Sequence, residues 1–234
     1  MAFLFLFLSA SLPLIRIPFW PFVISMILVA AILYTRAANS NNWSLVLRSI
    51  FSPRAVQQLI REENTMDNTF SGVLVLTFFF SLALFFYNIN EVFNISIPAH
   101  PILTYLLALT VLFLIYLVKA LSLFLFQYIF EAKEIFEEYL VGLMNINIVL
   151  GTLLIPLNLL IVYGPFKSKA FLIYMGLALL VISFVIRYIR IYELGSAKGL
   201  KKYNIILYLC TLEILPIVLF IKLLDNLGIN LSLL

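Results

Sequence analysis

A carboxylate in the middle of an apolar stretch has the strongest reason in this chain to do chemistry. Asn204 to Leu223 holds one carboxylate, Glu213, near its midpoint. A helix of about 20 residues, rising about 1.5 Å per residue, spans the roughly 30 Å hydrocarbon core of a bilayer. A charge at the centre of that core costs at least about 2.5 kcal/mol unless it is partnered. Two readings of Glu213 follow: a proton, cation or headgroup site, or a protonated carboxyl hydrogen-bonded to a neighbouring helix. Pro216, three residues on, favours a kink that frees a backbone carbonyl beside it.

Other polar residues within apolar stretches supply candidate companions. Lys119 lies in a long apolar run, near one end of it, where its stem can carry the ammonium towards the headgroups. Asn145, Asn147, Thr152 and Asn158 surround Pro156 in the next run. Amides so placed join helices, at about 0.6 kcal/mol each, or line a polar cavity shared with Lys119 and Glu213. Glu131, Glu134 and Glu138 fall on one helical face with Glu137 beside them, as a solvated connecting helix, a set of partners for Arg187, Arg190, Lys201 and Lys202, or a divalent-cation site lacking any His.

Standard catalytic constellations are missing from the sequence. It has no glycine-rich phosphate loop, no nucleophile elbow, and one His, His100, between Pro98 and Pro101. The single Cys, Cys210, excludes an internal disulfide framework and a Cys-based metal cluster. The expectation is a protein that is not an enzyme and needs no cofactor or metal.

The elements that must position these residues are membrane helices. Of the 234 residues 64% are hydrophobic and 11% charged, against roughly 45–50% and 25% in soluble domains. The predicted fold is an all-α polytopic bundle of about six spans. These are Pro18 to Tyr34, Phe70 to Tyr87, Ile102 to Tyr128, Leu140 to Tyr163, Ala170 to Tyr188 and Asn204 to Leu223. Several end on a tyrosine, which suits the headgroup boundary. Residues 1–35 form an N-terminal segment with the first span, 36–69 a polar insert, and 70–234 a five-helix bundle. Phe3 to Leu8 resembles a signal-peptide core, but no Lys or Arg precedes it, so no cleaved signal is expected.

Lys and Arg outnumber Asp and Glu by 15 to 11, and the basic residues cluster in segments between spans. They read as topology determinants and not as a nucleic-acid surface. Placing the richer segments in the cytoplasm puts both termini in the periplasm of a bacterial inner membrane. The insert then lies inside, as two short amphipathic helices: Leu47, Ile50 and Phe51 mark the first, Val56, Leu59 and Ile60 the second. With Trp43, Arg48, Arg54 and Arg61, these helices either lie among anionic headgroups or pack their apolar face on the bundle. Trp43, Arg48, Phe51, Arg54 and Arg61 are thus the interfacial or partner-binding candidates.

The run from Leu45 to Arg54, followed by Gln57 to Asn64 and then a span, resembles an uncharacterised family of multispan inner-membrane proteins from the Bacteroidota. More distantly it is similar to the Yip1-like membrane proteins. The resemblance implies a compact helical bundle preceded by an amphipathic basic segment, and a role exercised through partners. It transfers no functional residue. The expected function is a non-catalytic membrane subunit or scaffold of an envelope complex, contacting lipids and another membrane or envelope protein. The alternative is a small transporter or lipid-handling protein with its polar site around Glu213.

Overall fold

The computed structural model describes residues 19–38, 40–49, 56–58, 68–93, 100–130, 133–165 and 169–197. Its helices are α1 (Trp20–Ala38), α2 (Ser40–Ser49), α3 (Asn68–Phe93), α4 (Pro101–Phe130), α5 (Lys133–Tyr163) and α6 (Lys169–Ala197). No strand occurs among the described residues. All but α2 are long and apolar enough to cross a membrane, giving five candidate spans. The expected span from Asn204 to Leu223 lies outside the described residues, and so does Glu213.

Prolines sit where a helix start tolerates them. The carbonyl of His100 accepts the amides of Leu103 and Thr104 at 2.7 and 3.1 Å, and Pro101 opens α4 at a position whose missing N–H would have had no partner. Pro21 occupies the first turn of α1 in the same way, after Phe19 has accepted the amides of Phe22 and Val23. Pro156 is internal to α5, where it removes the bond to the Thr152 carbonyl, yet α5 continues to Tyr163. Hydroxyls inside the apolar helices return their protons to their own backbone, as Thr77 does to Leu74 and Ser183 to Leu180.

The helix α5 is the centre of the bundle and packs on α1, α2, α3, α4 and α6. Phe78, Phe85, Leu154, Leu157, Ile161 and Ile173 form the main core between α3, α5 and α6. Close approach to a neighbouring backbone falls at Gly151, where an added Cβ would stand 2.6 Å from Phe78 Cα, while Gly176 of α6 makes room for the Phe85 ring. Such small-residue contacts let helices associate in a bilayer, where burial of apolar surface gives little drive. At the periphery, α1, α4 and α6 turn Ile27, Phe113, Leu114, Phe171 and Val181 outward.

Among the helix boundaries that differ from the sequence expectation, two bring polar residues into the bundle. The second span runs past Tyr87 to Phe93, so Asn88, expected in an outer loop, is helical and buried. The fifth runs past Tyr188 to Ala197, so Arg190, beyond the expected span, is helical and buried, as is Arg187 within it. In both cases a polar side chain lies beyond the apolar run in the sequence, and α5 accommodates it in the fold, through Asn158 for Asn88 and the space beside Gly142 for Arg190.

Gly151→Ala drives a methyl into the α3 backbone and should destabilise the protein by about 1–3 kcal/mol. Gly72→Ala meets nothing within 4 Å and should be neutral or slightly stabilising. Thermal unfolding in one detergent compares the two; equal midpoints would refute the close approach.

Candidate functional site

Polar side chains inside the bundle gather in two layers. Towards the Tyr163 end of α5, Asn158 Nδ2 donates to the Ser81 carbonyl at 2.9 Å, and Asn88 Nδ2 donates to Asn158 Oδ1 at 3.1 Å. Both amides are buried. Asn158 thereby clasps α3 at two points about two turns apart on one face. This arrangement binds helices together and leaves its members little capacity for a ligand.

The second layer lies towards the other end and is cationic. Arg187 of α6 donates from Nη2 to Asn147 Oδ1, and Tyr116 of α4 donates to the same oxygen at 3.4 Å. The Arg187 guanidinium carbon also stands 5.1 Å from the Phe184 ring centroid, within cation–π range. One turn further along α6, Arg190 fills the space that Gly142 leaves: a Cβ there would lie 3.0 Å from Arg190 Nε. Glu138 is buried and accepts from Gln57 Nε2 at 3.2 Å. Lys119 is also buried.

A crevice of about 280 Å³ opens between α3, α4 and α5 beside this layer. Its lining is mostly apolar, with Phe78, Phe79 and Leu143 among the walls, and Lys119, Tyr116 and Asn147 are its polar lining residues. Phe113, Leu117, Ala120 and Met144 form an exposed rim. An ammonium with amide and phenol groups beside it, and the Arg187 guanidinium behind, can hold an anion. They do not supply a nucleophile paired with a base. Among the described residues no group of three His, Cys, Asp or Glu side chains is placed to hold a metal.

The expected site residues distribute as follows. Lys119 and Asn147 meet in the crevice, Asn158 belongs to the other layer, and Asn145 is buried with its Nδ2 lacking a hydrogen-bond partner. Glu213 lies outside the described residues, as do Phe51, Arg54 and Arg61. Trp43 packs with Leu45 and Val46 against Leu74 of α3 and Ile148 of α5, seating α2 on the bundle, while Arg48 is exposed.

Arg187 and Arg190, named from the sequence only as possible partners of the Glu131, Glu134 and Glu138 face, are the members of this layer not expected there. The signal was present in spacing: Ile173, Gly176, Leu180, Ser183, Arg187 and Arg190 alternate steps of three and four residues along α6. That is the seam of a helix facing a neighbour, and the two arginines simply continue it.

Apolar helices of spanning length, with amides and cations turned inward, define a polytopic helical membrane protein. The family of a domain of unknown function (DUF4271) matches residues 22–224, and the chain belongs to it. No curated protein and no solved structure matches the chain.

The Asn88–Asn158 bond lends itself to a double-mutant cycle with leucine at each position. Coupling of about 0.6 kcal/mol, and no more than about 1.7, is expected from interhelical bonds in membranes. Additive losses of stability would show that the amides do not act as a pair.

Proposed function

We propose that this chain is a non-catalytic integral membrane subunit or scaffold of a bacterial envelope complex, serving secretion or envelope assembly. It sits in the inner membrane with about six spans and both termini in the periplasm, and the insert between the first two spans faces the cytoplasm. The reading is supported by the outer face of α4: Leu103, Leu106, Leu107, Phe113, Leu114 and Leu121 are exposed along the length of that helix. Such a face suits helix-on-helix association with a second membrane protein. The likeness to Bacteroidota inner-membrane proteins and, distantly, to Yip1-like proteins belongs to the same reading and favours action through partners.

The crevice at Lys119 and Asn147 favours a second reading, a small transporter or lipid-handling protein with an intramembrane polar site that includes Glu213. Substitution separates the two. Glu213→Gln should leave a subunit's assembly intact and should abolish a carrier's activity.

A photoreactive residue at Leu114, activated in cells, should yield one crosslinked protein product of defined mass that copurifies stoichiometrically after mild-detergent extraction. Crosslinks to lipid alone would overturn the subunit reading. Orientation has its own check in a Cys210→Ser background. A cysteine replacing Arg48 should resist a membrane-impermeant maleimide until the inner membrane is opened, and one replacing His100 should react at once. The reverse pattern would invert the topology.

A further inference from the structure

The buried cations share a depth. Lys119 lies 18 residues along α4 from Pro101, or about 27 Å at 1.5 Å per residue. Arg187 lies 18 residues along α6 from Lys169, again about 27 Å, and Arg190 about 32 Å. These helices begin at the same end of the bundle, since the loop from α5 to α6 and the start of α4 both follow helices running towards that end. With that end at one headgroup boundary, about 30 Å of hydrocarbon brings Lys119, Arg187 and Arg190 to the opposite boundary. Phosphates of lipids reside at that level.

The crevice walls around Lys119 are aliphatic and aromatic: Val75, Phe78 and Phe79 from α3, Phe113 and Leu117 from α4, and Leu143 from α5. The crevice opens through an exposed rim on the bundle's flank and not into an enclosed interior. Its volume of about 280 Å³ lies just below the roughly 300–1,000 Å³ of small-molecule pockets. It therefore accommodates a length of acyl chain, with the remainder of the lipid in the bilayer.

We infer that the crevice between α3, α4 and α5 binds an anionic phospholipid, one acyl chain along Phe79 and Phe113 and the phosphate at Lys119. An ammonium carries three protons, so a phosphate oxygen can be added to whatever acceptor Lys119 already serves. Tyr116 and Asn147 stand beside it as neutral polar neighbours. Arg187, bonded to Asn147 from behind, adds positive potential without entering the crevice. The inference shares with the second functional reading the premise of a polar site facing lipid, but it requires no transport and is equally compatible with a subunit. Failure to find a protein partner leaves it untouched, and its own failure leaves the subunit reading untouched.

Native mass spectrometry of the detergent-solubilised full chain tests the site. The probes are phosphatidylglycerol, phosphatidylcholine of the same acyl chains, and chain-free glycerol phosphate. Phosphatidylglycerol should bind about fivefold more tightly than phosphatidylcholine, the ratio expected of a single basic residue near an anionic headgroup. Lys119→Gln should bring the ratio close to one. Ala120→Trp, at the exposed rim, should remove bound phosphatidylglycerol while leaving the thermal midpoint unchanged, and it carries the test alone if Lys119→Gln fails to fold. Equal binding of the two lipids, a ratio that survives Lys119→Gln, or lipid adducts that survive Ala120→Trp would overturn the inference. Displacement of phosphatidylglycerol by glycerol phosphate at equal concentration would mark a free-phosphate site and overturn it too.

Discussion

A guanidinium buried among helices must find acceptors there, because an unpaired buried charge bears its full desolvation cost, and Arg187 finds its acceptor at Asn147. The same amide oxygen takes the Tyr116 hydroxyl, so one side chain of α5 ties α6 and α4 together. Removing either partner of a buried charged contact leaves the other to bear its desolvation. Asn147 consequently constrains three helices at once. The central place of α5 follows: it supplies an amide to each polar layer, Asn147 and Asn158, and two of the glycines that permit close approach, Gly142 and Gly151.

Backbone proximity and polar satisfaction reinforce one another in this arrangement. Gly151 lets α3 come close enough for Asn158 to reach the Ser81 carbonyl, and Gly142 clears the volume that the Arg190 side chain occupies. A larger residue at either position would separate the helices or displace the cation. The apolar core around Phe78, Phe85 and Leu154 fills the space that these contacts define. Specificity thus comes from a few polar and glycine positions, and bulk packing from the many aliphatic ones.

Much of the fold was legible in the sequence because membrane spans announce themselves by composition and length. The described helices match five of the expected spans, and the inward placement of Asn147 and Asn158 follows from amides being untenable against lipid. Asn88 and Arg190 fell outside the expected spans for one physical reason. Hydropathy treats a polar residue as the end of a span, whereas accommodation across the interface lets the helix continue. Asn158 accommodates Asn88 by a hydrogen bond, and Gly142 accommodates Arg190 by the space it leaves. The crevice was only partly legible: Lys119 and Asn147 were expected together, but its apolar walls come from three helices whose register no single run reveals. Trp43 was open between lipid and bundle, and its burial against Leu74 and Ile148 reflects a complementary apolar patch that only the folded helices assemble.

The pairing of Arg187 with Asn147 and of Arg190 with Gly142 also makes the register between α5 and α6 discrete. Sliding α6 by one turn, about 5.4 Å, would bring Arg187 level with Leu143 or Gly151, neither of which offers a side-chain acceptor. Intermediate displacements would leave the buried charge without its acceptor. These two helices therefore behave as a single ruled strut, and any shape change the protein undergoes in its membrane must be carried by helices hinged to that strut, foremost the peripheral α4.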